Sequence, residues 1–336
     1  MKVHFWSADT TGSALYRCVL PGTAMQWAGH TVTVGQALPE AWGTYDVVVG
    51  ARVANPEASL MWRRMKDAGV QLVLDLDDDY FHIDPAFGHV YQDWTDRGLQ
   101  TSLAKNIEIA DQVTVCSTVL KDVVGNLHPD VRVVPNGLPA GYLGIPRDYR
   151  PDLLTVGWAG TATTVLELPL VARHLNRVAD YKSGVDALCV GIDTSRSQAA
   201  GLRQSVPATG WHPIWEEYAG MVYQFGIWVA PYRDTPFNRA KFATKALEAG
   251  FFGIPLIATD LPGYREWITH GVNGYLVPTG QEHLFGRYIK RLVDNPDLRQ
   301  SMGHAARARA SQNILEALGG RWAEALERQG GTHAAR

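Results

Sequence analysis

Cysteine is nearly missing from this chain. The three residues Cys18, Cys116 and Cys189 lie far apart in sequence among apolar neighbours, which excludes a disulfide framework and the paired spacing of a structural zinc site. Long apolar runs are missing too. No stretch approaches the roughly 18 residues that span a bilayer, so stable membrane insertion is not expected. The start, "MKVHFWSADTTGSALYR", lacks the basic, apolar and small-residue succession of a signal peptide, and the expected location is the cytoplasm. No Gly-x-Gly-x-x-Gly follows the first strand-like run, which removes the nicotinamide-dependent dehydrogenases. A basic excess is also absent. The net charge is −3, with 12 Lys and Arg against 17 Asp and Glu in residues 1–150 and 19 against 17 in the remainder. Neither half carries the footprint of a nucleic-acid binder, and an anionic ligand is expected in the second.

Valine-rich runs recur along the chain. "KVHFWS", "TVTVG", "YDVVVGA", "VQLVLDL", "DQVTVC" and "VRVVP" are strand-like and bounded by Gly, Asp or Pro, and "PEASLMWRRMKDAG" between two of them has helical spacing. Near-continuous apolar strands separated by helices imply a parallel sheet covered on both faces. The alternation stops at the Pro- and Gly-rich stretch 135–151 and restarts with "LLTVGWAG", "VDALCVG", "FGIWVAP", "GIPLIAT" and "GYLVP". With 336 residues, more than one core can fill, the expected architecture is α/β: two Rossmann-like, doubly wound parallel-sheet domains facing each other across a cleft. The first spans residues 1–140, the linker 135–151, and the second 151–311. A final helix over 312–329, broken near Gly319-Gly320, is expected to return to the first domain, and residues from 330 onward to fray. Open parallel sheets bind ligands at the carboxyl ends of their strands, so the cleft is the expected site.

The segment "FNRAKFATKALEAGFFGIPLIATDLPGYREW" spaces Lys241 and Lys245 by four and Lys245 and Glu248 by three. On one helix starting soon after Asn238 all three would share a face, and a helix N-terminus with two lysines suits a diphosphate. A solvated Lys–Glu surface pair is the alternative. "WAGTATT" places Gly160, Thr161, Thr163 and Thr164 in a strand-to-helix turn able to approach phosphate oxygens. "LVLDLDDDYFHID" ends a strand in Asp75, Asp77, Asp78 and Asp79. Clustered carboxylates repel one another, and three readings compete: a metal site, an acceptor-hydroxyl site, or a capping and loop cluster.

The order strand, polar loop, Lys/Glu helix, buried strand, Pro-Gly turn and short helix resembles the donor region of GT-B glycosyltransferases of the family 4 type. The resemblance is closest to a variant with "FN..K...K..E" in place of the Glu-x7-Glu motif. It implies a glycosyltransferase that moves a sugar from a nucleoside-diphosphate donor, a UDP-sugar in preference to a GDP-sugar, to an acceptor hydroxyl, with retention of configuration and without a metal. It places Glu248 on the ribose. Lys241, Lys245 and the Gly160–Thr164 turn fall on the diphosphate, Asn238 and Phe242 beside the donor, and His212 near the base. Gly12, Ser13 and Arg17 are expected to face the acceptor with Asp77 and Asp78, and Asp77, Asp78, Lys241 and Lys245 to be catalytic. The chain departs from the pattern at Ala240, where the first glutamate would fall, and it lacks an Arg/Lys pair in the Gly160 turn. The acceptor could be a glycan, a protein or a hydroxymethylated DNA base, the last as in phage DNA glycosyltransferases. A catalytically silent nucleotide-sugar binding module is the alternative in another class.

Overall fold

The computed structural model of the chain describes residues 1–145, 154–161, 163–181 and 183–327. Part of the linker and the stretch from 330 onward lie outside them. The Val-rich runs of the first half form β1 (Lys2–Trp6), β2 (Thr31–Gly35), β3 (Val47–Ala51), β4 (Gln71–Leu76), β5 (Gln112–Val115) and β6 (Val131–Val133). The second half supplies β7 (Leu154–Ala159), β8 (Val185–Val190), β9 (Ala208–Thr209), β10 (Phe225–Ala230), β11 (Leu256–Thr259) and β12 (Gly274–Val277). All pairings are parallel, in two sheets of order β2-β1-β3-β4-β5-β6 and β12-β11-β10-β7-β8-β9. Each sheet reverses its winding once, between β1 and β3 and between β7 and β10. A crevice is expected at the carboxyl ends there, and Arg52 after β3, Asp77 to Asp79 after β4 and Arg233 after β10 follow such ends.

The architecture is the expected pair of doubly wound sheets. Apolar packing continues from one half to the other: Phe87 meets Phe237 edge-on with centroids 5.2 Å apart, and Tyr16 meets Trp215 at 6.0 Å. Among the described residues no helix is long and apolar enough to cross a membrane.

The last described helix returns to the first half. Helix Leu315–Leu326 packs on helix Leu20–Trp27 and buries Trp322 edge-on to Phe5 at 5.4 Å. Its last carbonyls are taken up by the first half. Gln71 donates to Leu326 O at 2.8 Å, and Arg132 donates to the carbonyls of Ala325 and Glu327 at 3.0 and 2.9 Å. The expected break at Gly319-Gly320 does not occur; the chain turns instead over Ser311–Asn313. The reason is packing. A Cβ on Gly319 would sit 2.3 Å from Ala24 O, whereas one on Gly320 would meet nothing within 4 Å. Gly319 therefore permits two helices to touch, and Gly320 is a solvent-side residue.

This contrast is testable by urea unfolding. Gly319→Ala should cost about 1–3 kcal/mol through overpacking, while Gly320→Ala should gain about 0.5–1 kcal/mol from helix propensity. Equal shifts in the two midpoints would contradict the close-approach explanation.

Candidate active site

The Lys/Glu segment folds as two helices, not one. Pro236–Ala240 is capped by Thr235, whose hydroxyl accepts from Asn238 N at 3.2 Å; Thr244–Phe251 follows after an extended Lys241 (φ −61°, ψ 139°). Two distant residues force the break. Ser117 Oγ donates to Ala240 O at 2.8 Å, and Lys241 O approaches Gly263 so closely that a Cβ there would lie 2.3 Å away. Lys241 is thus off the face shared by Lys245 and Glu248, which corrects the single-helix expectation. Its ammonium donates to both oxygens of Asp78, at 2.9 and 3.0 Å, and lies 4.1 Å over the Phe237 ring. Lys245 Nζ donates to Tyr232 Oη at 2.8 Å. Buried Glu248 accepts from Tyr16 Oη at 2.7 Å and from Tyr218 Oη at 2.9 Å.

The four aspartates after and within β4 have separate partners. Asp75 binds Arg17 in two-pronged fashion, at 2.9 and 2.6 Å, and accepts from Thr114. Asp77 accepts from Tyr80 Oη at 2.6 Å, Asp78 pairs with Lys241, and Asp79 turns inward to Phe81 N and His82 Nδ1. Burial pushes both cleft carboxyls up. In Asp77 this is outweighed by Arg52, the hydrogen bonds of Ser13 and Tyr80, and Arg17, so its pKa ends below the ordinary value. Asp78 stays above it, because burial and the Asp77 charge exceed the pull of Lys241. Burial would lower Lys241, but the Asp78 carboxylate reverses the sign.

Three expected site residues face elsewhere. Arg17 is buried, and besides Asp75 its Nη1 donates to Val134 O at 2.7 Å and Asn136 Oδ1 at 2.9 Å. A guanidinium so engaged binds the fold together and is not free to face the cleft. Neighbouring Tyr16 does reach the cleft. Both lie in a wide turn, Leu15–Val19, where Leu20 N bonds back to Leu15 O. Asn238 is also buried; its Nδ2 donates to Glu167 Oε1 and Arg233 O, both at 2.9 Å. Phe242 packs edge-on against Trp267 at 5.3 Å, within the core.

The remaining expected residues lie at the strand ends. Gly160 closes β7: its N–H donates to Val190 O at 2.9 Å, and a Cβ on Gly191 (φ +93°) would come within 2.0 Å of its carbonyl. Thr161 N donates to Thr164 Oγ1 at 2.6 Å, and the hydroxyls of Thr161 and Thr163 are 3.1 Å apart. Gly12 opens helix Gly12–Ala14 with free space beside its Cα, and Ser13 bonds Asp77. His212 precedes the helix Trp215–Val222 that carries Tyr218; its Nδ1 is 3.7 Å from Glu217.

Sequence reasoning missed the residues that answer these charges. Arg233, just past β10, bridges the halves: Nη1 lies 3.0 Å from Asp84, while N and Nε donate to buried Glu167 at 2.7 and 3.2 Å. Its place beyond a switch-point strand was a usable signal. Arg52 after β3 holds φ +51°, unusual for a residue with a Cβ, pairs with Asp9 and donates to Tyr80 Oη at 3.2 Å. Tyr16 and Tyr218 carry no local signal, since Tyr16 lies 232 positions from the carboxylate it serves.

Burial is the main influence on Glu248 and raises its pKa above the ordinary 4.5, with Tyr16, Tyr218 and Lys245 offsetting it in part. Just above that value the folded state holds the proton longer than the unfolded one, so stability falls as pH rises through the window. Glu248→Gln, which cannot ionise, should escape this loss. Thermal unfolding across the acid-to-neutral range should show the wild-type Tm declining relative to the variant above the ordinary carboxylate range and a constant difference below it.

Residues 194–309 match the family described as "Glycosyl transferases group 1". The chain is 30% identical over 88 residues to the capsular polysaccharide biosynthesis glycosyltransferase CapM of Staphylococcus aureus, covering 25% of this chain and 23% of that protein. It is 35% identical over 80 residues to the human alpha-1,3/1,6-mannosyltransferase ALG2, covering 24% and 19%. The match therefore spans less than a quarter of either relative's length. Among solved structures it superposes on Anabaena Alr3699/HepE in complex with UDP-glucose with a TM-score of 0.70 at 16% identity, over 97% of this chain and 99% of that one. For sucrose-phosphate synthase from Thermosynechococcus elongatus the TM-score is 0.72 at 16% identity, over 96% and 98%. Residues 194–309 thus match the group 1 glycosyltransferase family, and the chain as a whole shares the two-sheet fold of these solved structures.

Proposed function

We propose that this protein is a retaining glycosyltransferase that takes a sugar from a nucleoside-diphosphate donor, a UDP-sugar in preference to a GDP-sugar, and passes it to an acceptor hydroxyl. The observation that carries the reading is that Lys241 and buried Glu248, in the segment matched to the group 1 family, meet first-half side chains across the cleft, Lys241 on Asp78 and Glu248 on Tyr16, with Lys245 one helical turn before Glu248. The UDP-glucose complex of the similarly folded Anabaena protein favours uridine.

In this reading Glu248 accepts from the ribose hydroxyls, while Lys245, Lys241 and the Gly160–Thr164 turn face the diphosphate. Charge builds on the departing phosphate as the glycosidic bond lengthens, and ammonium groups fixed in a dry cleft stabilise it without having to reorganise. No pair of nucleophile and acid is needed. The departing phosphate oxygen takes the acceptor proton on the same face of the sugar, which preserves configuration. Asp77, held below the ordinary carboxylate pKa, stays ionised and orients the acceptor hydroxyl.

Titration calorimetry with UDP and with GDP tests the donor assignment. Micromolar binding of UDP, weaker binding of GDP and a loss of more than about a hundredfold in Glu248→Ala combined with Lys245→Ala are expected, because hydrogen bonds to charged groups contribute about 1.5–3 kcal/mol each. Absence of binding to either nucleotide would remove the donor site.

A further inference from the structure

We infer that the cleft is held closed by two first-half side chains standing where the donor has to go, Tyr16 on Glu248 and Asp78 on Lys241, so that the donor binds only after the halves part. The inference rests on the donor assignment above and adds a clamp to it. Both oxygens of Glu248 are already occupied, by Tyr16 Oη at 2.7 Å and Tyr218 Oη at 2.9 Å. A ribose diol offers the same chemistry, two hydroxyl donors to one carboxylate; the carboxylate has lone pairs to spare, but Glu248 is only 4% exposed, so the diol reaches it only if a covering phenol withdraws. The two phenols are not equivalent. Tyr218 belongs to the same half as Glu248, whereas Tyr16 reaches over from the first half. Separation of the halves therefore frees one oxygen and leaves the other satisfied.

Lys241 is occupied in the same manner. Asp78 presents two anionic oxygens at 2.9 and 3.0 Å, which is what a phosphate would present. Both substitute groups come from the first half, so one movement releases both. The same movement breaks the Arg233–Asp84 pair and the Ser117–Ala240 hydrogen bond. Those two contacts occupy no group assigned to the donor; Tyr16 and Asp78 do.

The test compares Tyr16→Phe with Tyr218→Phe. Each loses one hydroxyl to the same carboxylate and keeps its ring, but only Tyr16 spans the cleft. Small-angle X-ray scattering of the free proteins should show a larger radius of gyration for Tyr16→Phe than for wild type, and none for Tyr218→Phe. Calorimetry should show Tyr16→Phe binding UDP about tenfold more tightly than wild type, the factor set by releasing one hydrogen bond to a charged group, and Tyr218→Phe binding it no more tightly. Equal radii in the two variants, or unchanged UDP affinity in Tyr16→Phe, would overturn the clamp. An expanded Tyr16→Phe with no UDP bound by any protein would keep the closure contact and remove the donor assignment instead.

Discussion

An ion taken out of water must be given back a partner, and this cleft is organised by that requirement. Burying an unpaired charge costs far more than the few kcal/mol by which a domain is stable. The solution adopted at Arg17 is complete: Asp75, Val134 and Asn136 engage the guanidinium from β4 and from the segment that follows β6. Glu167 is satisfied by Arg233 and Asn238. Lys241 and Asp78 obey the same rule across the cleft, and Glu248 takes one partner, Tyr16, from the opposite half and one, Tyr218, from its own. Charges paired within one half build the walls, and charges paired across the cleft connect those walls to each other.

Much of this was legible in the sequence, for reasons that can be traced to residues. The runs "YDVVVGA" and "FGIWVAP" read as buried strands because they are short, rich in β-branched or aromatic residues and bounded by Gly or Pro. β9 was not legible, since two residues, Ala208 and Thr209, carry no periodicity. Glu248 and the lysines stood out because charge is rare in an Ala- and Phe-rich segment. The break at Lys241 did not, because it is imposed by Ser117 and Gly263, distant in sequence. Arg17 shows the reverse error. An arginine beside a Gly loop at the first strand's end reads as a ligand contact, but Asp75 in β4 draws it inside. Composition reveals that a charge is present; its partner, supplied by tertiary structure, decides which way it faces.

The tyrosines extend the point. Tyr16 and Tyr218 meet on one carboxylate, and Tyr232 takes the neighbouring ammonium. A phenol carries an apolar ring and one polar atom, so it can fill a closed interface and still satisfy an ion there. Aliphatic side chains would leave Glu248 bare, and charged ones would add further ions to desolvate.

The returning helix Leu315–Leu326 has a consequence for how the molecule is made. The cluster around Val3, Phe5, Cys18 and Met25 is completed only by Leu315, Leu318, Trp322 and Leu326. The polypeptide emerging from a ribosome therefore holds every strand of its first sheet long before it holds the residues that seal one face of it. The second sheet suffers no such delay, as β7 to β12 and the helices that cover them precede that last helix. The half synthesised later can thus mature earlier, with the leading half waiting, part of its hydrophobic face uncovered, for helix Leu315–Leu326.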